Sequence, residues 1–361
     1  MRSGFMIYGA YGYTGELIAR QAVRRGHRPL LAGRQGSKLA ALARELGGLP
    51  WVTLALDDAA DLVTALQRVS AVCHAAGPFV HTSAPLVDAC LSARTSYLDI
   101  TGEIPVFEAI FRRDAEARER GIALIPGVGF DVVPSDCLAR FVAEQLPGAS
   151  ELSIAFAVDG SLSGGTAQSS FEGLLRGNFV RQEGELVEIP LGHGLHDVPF
   201  SDRVRTVLPI PWGDLVTAFH TTGIPNITTS MALPTALARA LPLARPALPG
   251  LLRLLGKAWL RPRILSALAA HVVGPGDRAR SENRTRLWAR ATHREGQARE
   301  AWLDTIDGYA FTAESAVLAL EALARTPQRG ALTPASAFGA DFVLEITGTQ
   351  RRERLAAPDS E

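Results

Sequence analysis

Three glycines spaced three apart, in Gly9-Ala10-Tyr11-Gly12-Tyr13-Thr14-Gly15, follow directly on the apolar run at 5–8 and lead into a helical pattern. A strand that turns through glycines into a helix is suited to holding a pyrophosphate. Gly9 takes the tight turn, Gly12 lets the backbone approach the phosphates, and Gly15 lets the helix pack closely on the sheet. The helix N-terminus supplies open N–H groups and a partial positive charge, and Ala10 lies within the same cofactor-binding turn. The end of the second strand selects the dinucleotide, because a carboxylate there binds a ribose 2′-hydroxyl and a cation binds a 2′-phosphate. The residues there are Leu31-Ala32-Gly33-Arg34, and Ser37-Lys38 opens the next helix. Arg34, supported by Lys38, predicts NADPH. Asp57, just past the third strand, is placed to approach the adenine; a helix cap at Asp57 or Asp58 is the alternative.

Ligands of open α/β sheets lie beyond the carboxyl ends of the strands, which directs attention to three further segments. Ala76, Gly77 and Pro78 are expected to flank the nicotinamide ribose. The segments 99–103 and 126–131 bring carboxylates and a hydroxyl to the mouth of the crevice, where a proton donor is useful. His81, Asp99, Thr101, Glu103, Asp131 and Asp136 are the candidates there. Asp136 follows Pro134-Ser135 at a helix start, where capping accounts for it. Asp131 has no such local duty and stands first, with Thr101 and Tyr309 as further catalytic candidates; a packed aromatic is the commoner role for Tyr309. The turn Gly164-Gly165-Thr166 is either a carbonyl or phosphate site or a plain helix start.

The elements that position these residues are legible in the periodicity. The runs 5–8, 29–32, 52–55, 71–75, 97–100 and 122–125 read as buried strands, alternating with helical patterns at 14–25, 37–47, 58–68, 82–94 and 104–120. Such alternation predicts a doubly wound parallel sheet of Rossmann type. After Pro134 the pattern changes: 152–158, 203–210, 215–221, 227–233, 285–293 and 298–305 read as strands of a mainly antiparallel sheet. The predicted organisation is α/β, with an NADP-binding domain over 1–148, an α+β substrate domain over 149–348 that includes a helix at 311–325, and a frayed tail over 349–361.

Composition narrows the partners. At 361 residues the chain exceeds the ~250–300 residues of a single core, and 37 basic residues balance 37 acidic ones, which gives no global field for nucleic acid. The cysteines, Cys73, Cys90 and Cys137, show no C-x-x-C spacing and no histidine cluster, so no metal site is expected and a reducing cytoplasm is. No signal-peptide pattern opens the chain. The most apolar stretch, 231–273, is broken by prolines and arginines and cannot span a bilayer. A lid over an acyl channel, a dimer interface, peripheral membrane contact and a pair of core helices all remain open for it.

These residues together resemble the saccharopine dehydrogenase-like superfamily. The likeness is carried by G-A-Y-G-Y-T-G, L-A-G-R, H-A-A-G-P-F at 74–79, Y-L-D-I-T-G-E at 97–103 and P-G-V-G-F-D-V-V-P-S-D at 126–136. It continues through Ser163–Thr166, Gly274–Gly276, Gly308–Ala313 and Ala337–Phe342. Within the superfamily the chain is most similar to the trans-acting enoyl reductases and related oxidoreductases. The resemblance implies NADPH held by Gly9, Tyr11 to Gly15 and Arg34, a second domain closing over the nicotinamide, and reduction of a C=C or C=N bond in an apolar, acyl- or polyketide-like substrate, free or carrier-bound. No two-arginine clamp for an amino-acid carboxylate is legible, although an opine- or saccharopine-type dehydrogenase and a non-catalytic NADP- or lipid-binding scaffold are the alternatives.

Overall fold

In the computed structural model, residues 4–159, 167–168, 171, 173, 175, 177–271 and 274–355 are described. The chain forms two compact units, residues 1–133 with 308–339, and residues 134–307 with 340–361.

The first unit is a seven-stranded, wholly parallel sheet. Its strands are β1 (Phe5–Tyr8), β2 (Leu30–Gly33), β3 (Trp51–Thr53), β4 (Ala71–His74), β5 (Ser96–Asp99), β6 (Ala123–Ile125) and, far along the chain, Gly330–Ala331. Helices α1 (Tyr13–Arg24), α2 (Gly36–Glu45), α3 (Ala59–Leu66), α4 (Phe79–Ala93), α5 (Ile104–Phe111) and α6 (Asp114–Arg120) connect them. The spatial order, from the late strand through β6, β5, β4, β1 and β2 to β3, reverses direction beside β1, which is where such sheets bind nucleotides. Strands β1, β2 and β4 are buried at every residue because helices cover both faces, and their sequences are correspondingly apolar throughout. Edge strand β3 has exposed ends.

The second unit begins with α7 (Val133–Glu144), whose first residue still belongs to the first unit. Its nine-stranded sheet is mixed. β7 (Glu151–Val158) pairs parallel with β12 (Asn226–Ala232), whereas its other neighbour, β13 (Arg284–Thr292), and the rest of the ladder are antiparallel. The remaining strands are β8 (Asn178–Gln182), β9 (Glu185–Ile189), β10 (His196–Pro199), β11 (Val204–Pro209), β14 (Ala298–Ile306) and β16 (Gln350–Arg352). Phe200, Trp288 and Trp302 pack together in a buried cluster with Ala155 and Ala157 of β7, and Phe156, also buried, meets Trp212.

Four expectations need correction. The units divide at Val133/Pro134, not near residue 148, and the helix expected in the second domain, α13 (Gly308–Arg325), belongs to the first. Thr312 and Ser315 explain why: Thr312 Oγ accepts the Phe130 N–H at 2.9 Å, and the Ser315 hydroxyl donates to the Val128 carbonyl. The stretch 215–221 is not a strand but part of helix α8 (Asp214–Thr222), whose buried residues run consecutively from Asp214 to Ala218 instead of alternating, and Gly223 in the left-handed region ends it. Within the stretch expected to be a frayed tail, Gln350–Arg352 is a strand, β16, paired with β14, the late strand Gly330–Ala331 being β15. There the Arg351 guanidinium lies 3.5 Å from the centroid of Phe141 and donates to Asp341 at 2.6 Å.

Candidate nucleotide and proton-transfer site

The glycine turn is built by close approach. Gly9 has φ +82°, and a Cβ there would stand 2.8 Å from the Ala76 Cβ; a Cβ on Gly15 would stand 2.2 Å from the Gly9 carbonyl oxygen. Only glycine fits either position. The Gly9 and Ala10 N–H groups donate to the Ala32 carbonyl at 2.8 and 3.2 Å, fixing the turn to the end of β2. Ala10 is buried, Tyr11, Gly12, Tyr13 and Thr14 are half-buried, and the α1 cap residue Gly12 brings no capping side chain. The first turn of α1 therefore offers backbone N–H groups of the kind that bind phosphate.

Around the ends of β1, β2 and β3 the predicted adenosine-side residues converge. Tyr11 lies against Gly33, with its Cε1 2.7 Å from where a Cβ would be, and Lys38 Nζ stands 5.6 Å from the Tyr11 ring centroid. Arg34 is exposed, as is Asp57. Both are felt by one phenol: burial pushes the Tyr8 hydroxyl up to about 12, while Arg34 opposes the rise and Tyr11 and Asp57 add to it. Capping of α3 falls to Asp58, which accepts the Asp61 N–H at 3.0 Å, so Asp57 has no cap to make.

On the other side of the switch point, Ala76 and Pro78 are half-buried and Gly77 is exposed, ahead of α4. The start of α4 is satisfied from elsewhere: the Glu103 carboxylate accepts the Phe79 and Val80 N–H groups at 2.9 and 2.8 Å. Glu103 is thus committed to a helix cap and leaves the list of proton donors. Thr101 is fully buried and its Oγ accepts the Glu103 N–H at 3.1 Å, which makes it part of the same capping turn. His81 is exposed on α4.

Asp131 is half-buried and rests over the adjacent loop, its Oδ2 2.9 Å from where a Gly102 Cβ would stand. Tyr309, at the start of α13, meets Tyr13 edge-on with centroids 5.1 Å apart, so one catalytic candidate stands beside the glycine turn itself. Asp136 lies in the second unit, fully buried, where it accepts the Thr221 hydroxyl at 2.6 Å. The turn 164–166 lies outside the described residues.

One group was not singled out from the sequence as a unit. His74 ends β4 opposite Asp99 on β5, and Tyr97 lies two residues before Asp99 on the same face. The Tyr97 hydroxyl donates to Asp99 Oδ2 at 2.8 Å and lies 3.0 Å from His74 Nδ1. Asp99 Oδ1 accepts the N–H groups of Thr101 and Gly127 at 3.0 and 2.8 Å. All three side chains are fully buried. Burial holds the His74 imidazole down at about 3 and pushes the Asp99 carboxyl up to about 6, although its three donors pull the other way. The network ties the loop carrying Thr101 to the loop carrying Asp131. The signal that could have found it is three polar residues, in register, at the carboxyl ends of two otherwise apolar neighbouring strands.

The chain is 36% identical over 183 residues to a protein of Mycobacterium tuberculosis (strain ATCC 25618 / H37Rv) provisionally named a trans-acting enoyl reductase, covering 46% of this chain and 43% of that one. It is 33% identical over 138 residues to a trans-acting enoyl reductase of Mycobacterium ulcerans (strain Agy99), covering 36% of this chain and 33% of that one. The chain thus matches less than half the length of these curated relatives. Apo saccharopine dehydrogenase (L-Glu forming) from Saccharomyces cerevisiae shares the fold over 95% of this chain and 96% of its own, with a TM-score of 0.64 at 12% identity. Residues 5–125, which hold the glycine turn, Arg34 and the His74–Tyr97–Asp99 network, match the family model of the saccharopine dehydrogenase NADP binding domain.

Proposed function

We propose that this chain is an NADPH-dependent reductase that delivers hydride to a polarised C=C bond of an enoyl, acyl- or polyketide-like substrate, with C=N as the related acceptor. The observation that carries the reading is the 183-residue similarity to a protein named for enoyl reduction, which joins a nucleotide cradle ending in an exposed arginine and no carboxylate. When bound, the nicotinamide supplies the hydride. The chain's residues bind, orient and protonate. Gly9 to Gly15 receive the pyrophosphate, Arg34 and Lys38 the 2′-phosphate, Asp57 the adenosine, and Ala76 to Pro78 the nicotinamide ribose. We assign the proton that completes reduction to Asp131, with Tyr309 as the second side chain that can deliver it, and Thr101 to positioning through the Glu103 turn. An apolar substrate, carried or free, suits an enzyme whose own part is orientation and exclusion of water.

The experiment is direct: purified protein with NADPH and an enoyl thioester should lose the reduced-nicotinamide absorbance. Absence of turnover across enoyl, imine and keto substrates would overturn the proposal.

A further inference from the structure

The helices over residues 235–271 turn large apolar side chains outward. Leu237 is 48% exposed, Leu243 87%, Leu251 49%, Leu254 44% and Trp259 57%. They belong to α9 (Thr235–Ala244), α10 (Leu248–Leu255) and the turn before α11 (Arg261–His271). The same stretch carries Arg239, Arg245, Arg253, Lys257, Arg261 and Arg263, and between Asp214 and Asp277 the sequence contains no acidic residue at all. Because the formal charge of the whole chain is zero, this positive region is a segregation of charge and not a reflection of composition.

The segment is seated on its own unit and still leaves a free face. Leu248 and Leu252 line a cavity of about 520 Å³ with Ile189, Pro190 and Leu191, and Arg245 Nε donates to the Gly192 carbonyl at 2.7 Å. Leu251 and Leu254, on the same helix, face away. No described helix is long and apolar enough to cross a membrane. Exposed leucines and a tryptophan interleaved with arginines, on helices too short to span, are the pattern of an element that lies in a bilayer interface.

We propose that residues 235–271 dock this protein on the surface of an anionic lipid bilayer. Leucines and Trp259 enter the headgroup boundary, and the five cations other than Arg245 meet the anionic lipids. A second copy of the chain is disfavoured as the occupant, because a two-fold contact would set this uniformly positive face against itself. A rigid protein partner fits less well than a deformable apolar medium, since Leu243 and Trp259 protrude instead of lining a groove.

The test uses the full chain with extruded vesicles of phosphatidylcholine alone or mixed with phosphatidylglycerol. The expected result is co-sedimentation with the anionic vesicles only, weakened by salt, and a blue shift of tryptophan emission that the variant Trp259→Phe loses. The combined variant Leu243→Glu, Leu251→Glu, Leu254→Glu should lose at least tenfold in vesicle affinity with its NADPH affinity and melting temperature unchanged. That separates this inference from the reductase assignment. No binding to anionic vesicles, or equal binding by the triple variant, would overturn it. So would a dimer abolished by the same substitutions, or retention on an acidic carrier protein, if either occurred without vesicle binding.

Discussion

The Tyr97 hydroxyl donates to Asp99 Oδ2 at 2.8 Å, and its oxygen lies 3.0 Å from His74 Nδ1. With the phenol donating to the carboxylate, the imidazole proton sits on Nδ1 and donates to the phenol oxygen. Tyr97→Phe removes the central member and takes a partner from both His74 and Asp99. The expected cost is about 1–3 kcal/mol, read as a lower urea midpoint at unchanged slope. A variant as stable as the parent would show that the network contributes nothing.

Asp99 and His74 set opposite pH dependences. The Asp99 carboxyl titrates at about 6 when folded against an ordinary 3.8, so its contribution to stability is complete below about 3.8 and lost as pH rises through 6. The His74 imidazole titrates at about 3 against an ordinary 6.5, so its contribution is present above 6.5 and lost as pH falls through 3. Over about pH 4–6 the two slopes cancel. Asp99→Asn should leave the histidine slope alone, making acid loss of stability steeper than in the parent by up to about 1.4 kcal/mol per pH unit. Parallel profiles for the two proteins across that window would contradict the paired titration.

Arg34 is exposed, so replacing it should leave the fold intact and isolate its role in binding. Arg34→Asp should weaken NADPH by about 1.5–3 kcal/mol, the worth of a hydrogen bond to a charged group, and affect NADH much less. Calorimetric titration of both dinucleotides decides the matter, and equal losses would refute the 2′-phosphate assignment.

Glu321 on α13 holds Arg25 through two hydrogen bonds of 2.9 and 2.7 Å and His27 at 2.7 Å. Chiefly through Arg25, its carboxyl is held down at about 2, below the ordinary 4.5. Its stabilisation is therefore present above pH 4.5 and lost as pH falls through 2. Glu321→Gln should cost about 1 kcal/mol near neutrality, given that Arg25 is a third exposed. The difference from the parent should shrink on acidification, as thermal melts at several pH values will show; a difference independent of pH would remove the ion pair as its source.

The six leading strands and the glycine turn were legible because buried parallel strands are continuously apolar and glycines at the switch point stand out against them. The seventh strand, Gly330–Ala331, has two residues and so no periodicity to read. The return of α13 to the first unit depends on Thr312 and Ser315, which bond to residues 182 and 187 positions away, and no local pattern encodes such a contact. In the site, the position of Arg34 just past β2 could be read from its neighbours alone. Glu103 could not, because its commitment to Phe79 and Val80 arises only when β4 and β5 lie side by side.

The late arrival of α13 and the strand after it has a consequence for biosynthesis. A ribosome releasing this chain from its N-terminus makes residues 1–133 well before 308–339. The nucleotide-binding unit therefore lacks an edge strand and the helix bearing Tyr309 until the intervening unit has been translated. Its β6 edge stays open to mispairing during that interval. A fragment cut after residue 133 should inherit the same defect permanently, whereas a splice of 1–133 to 308–339 should not.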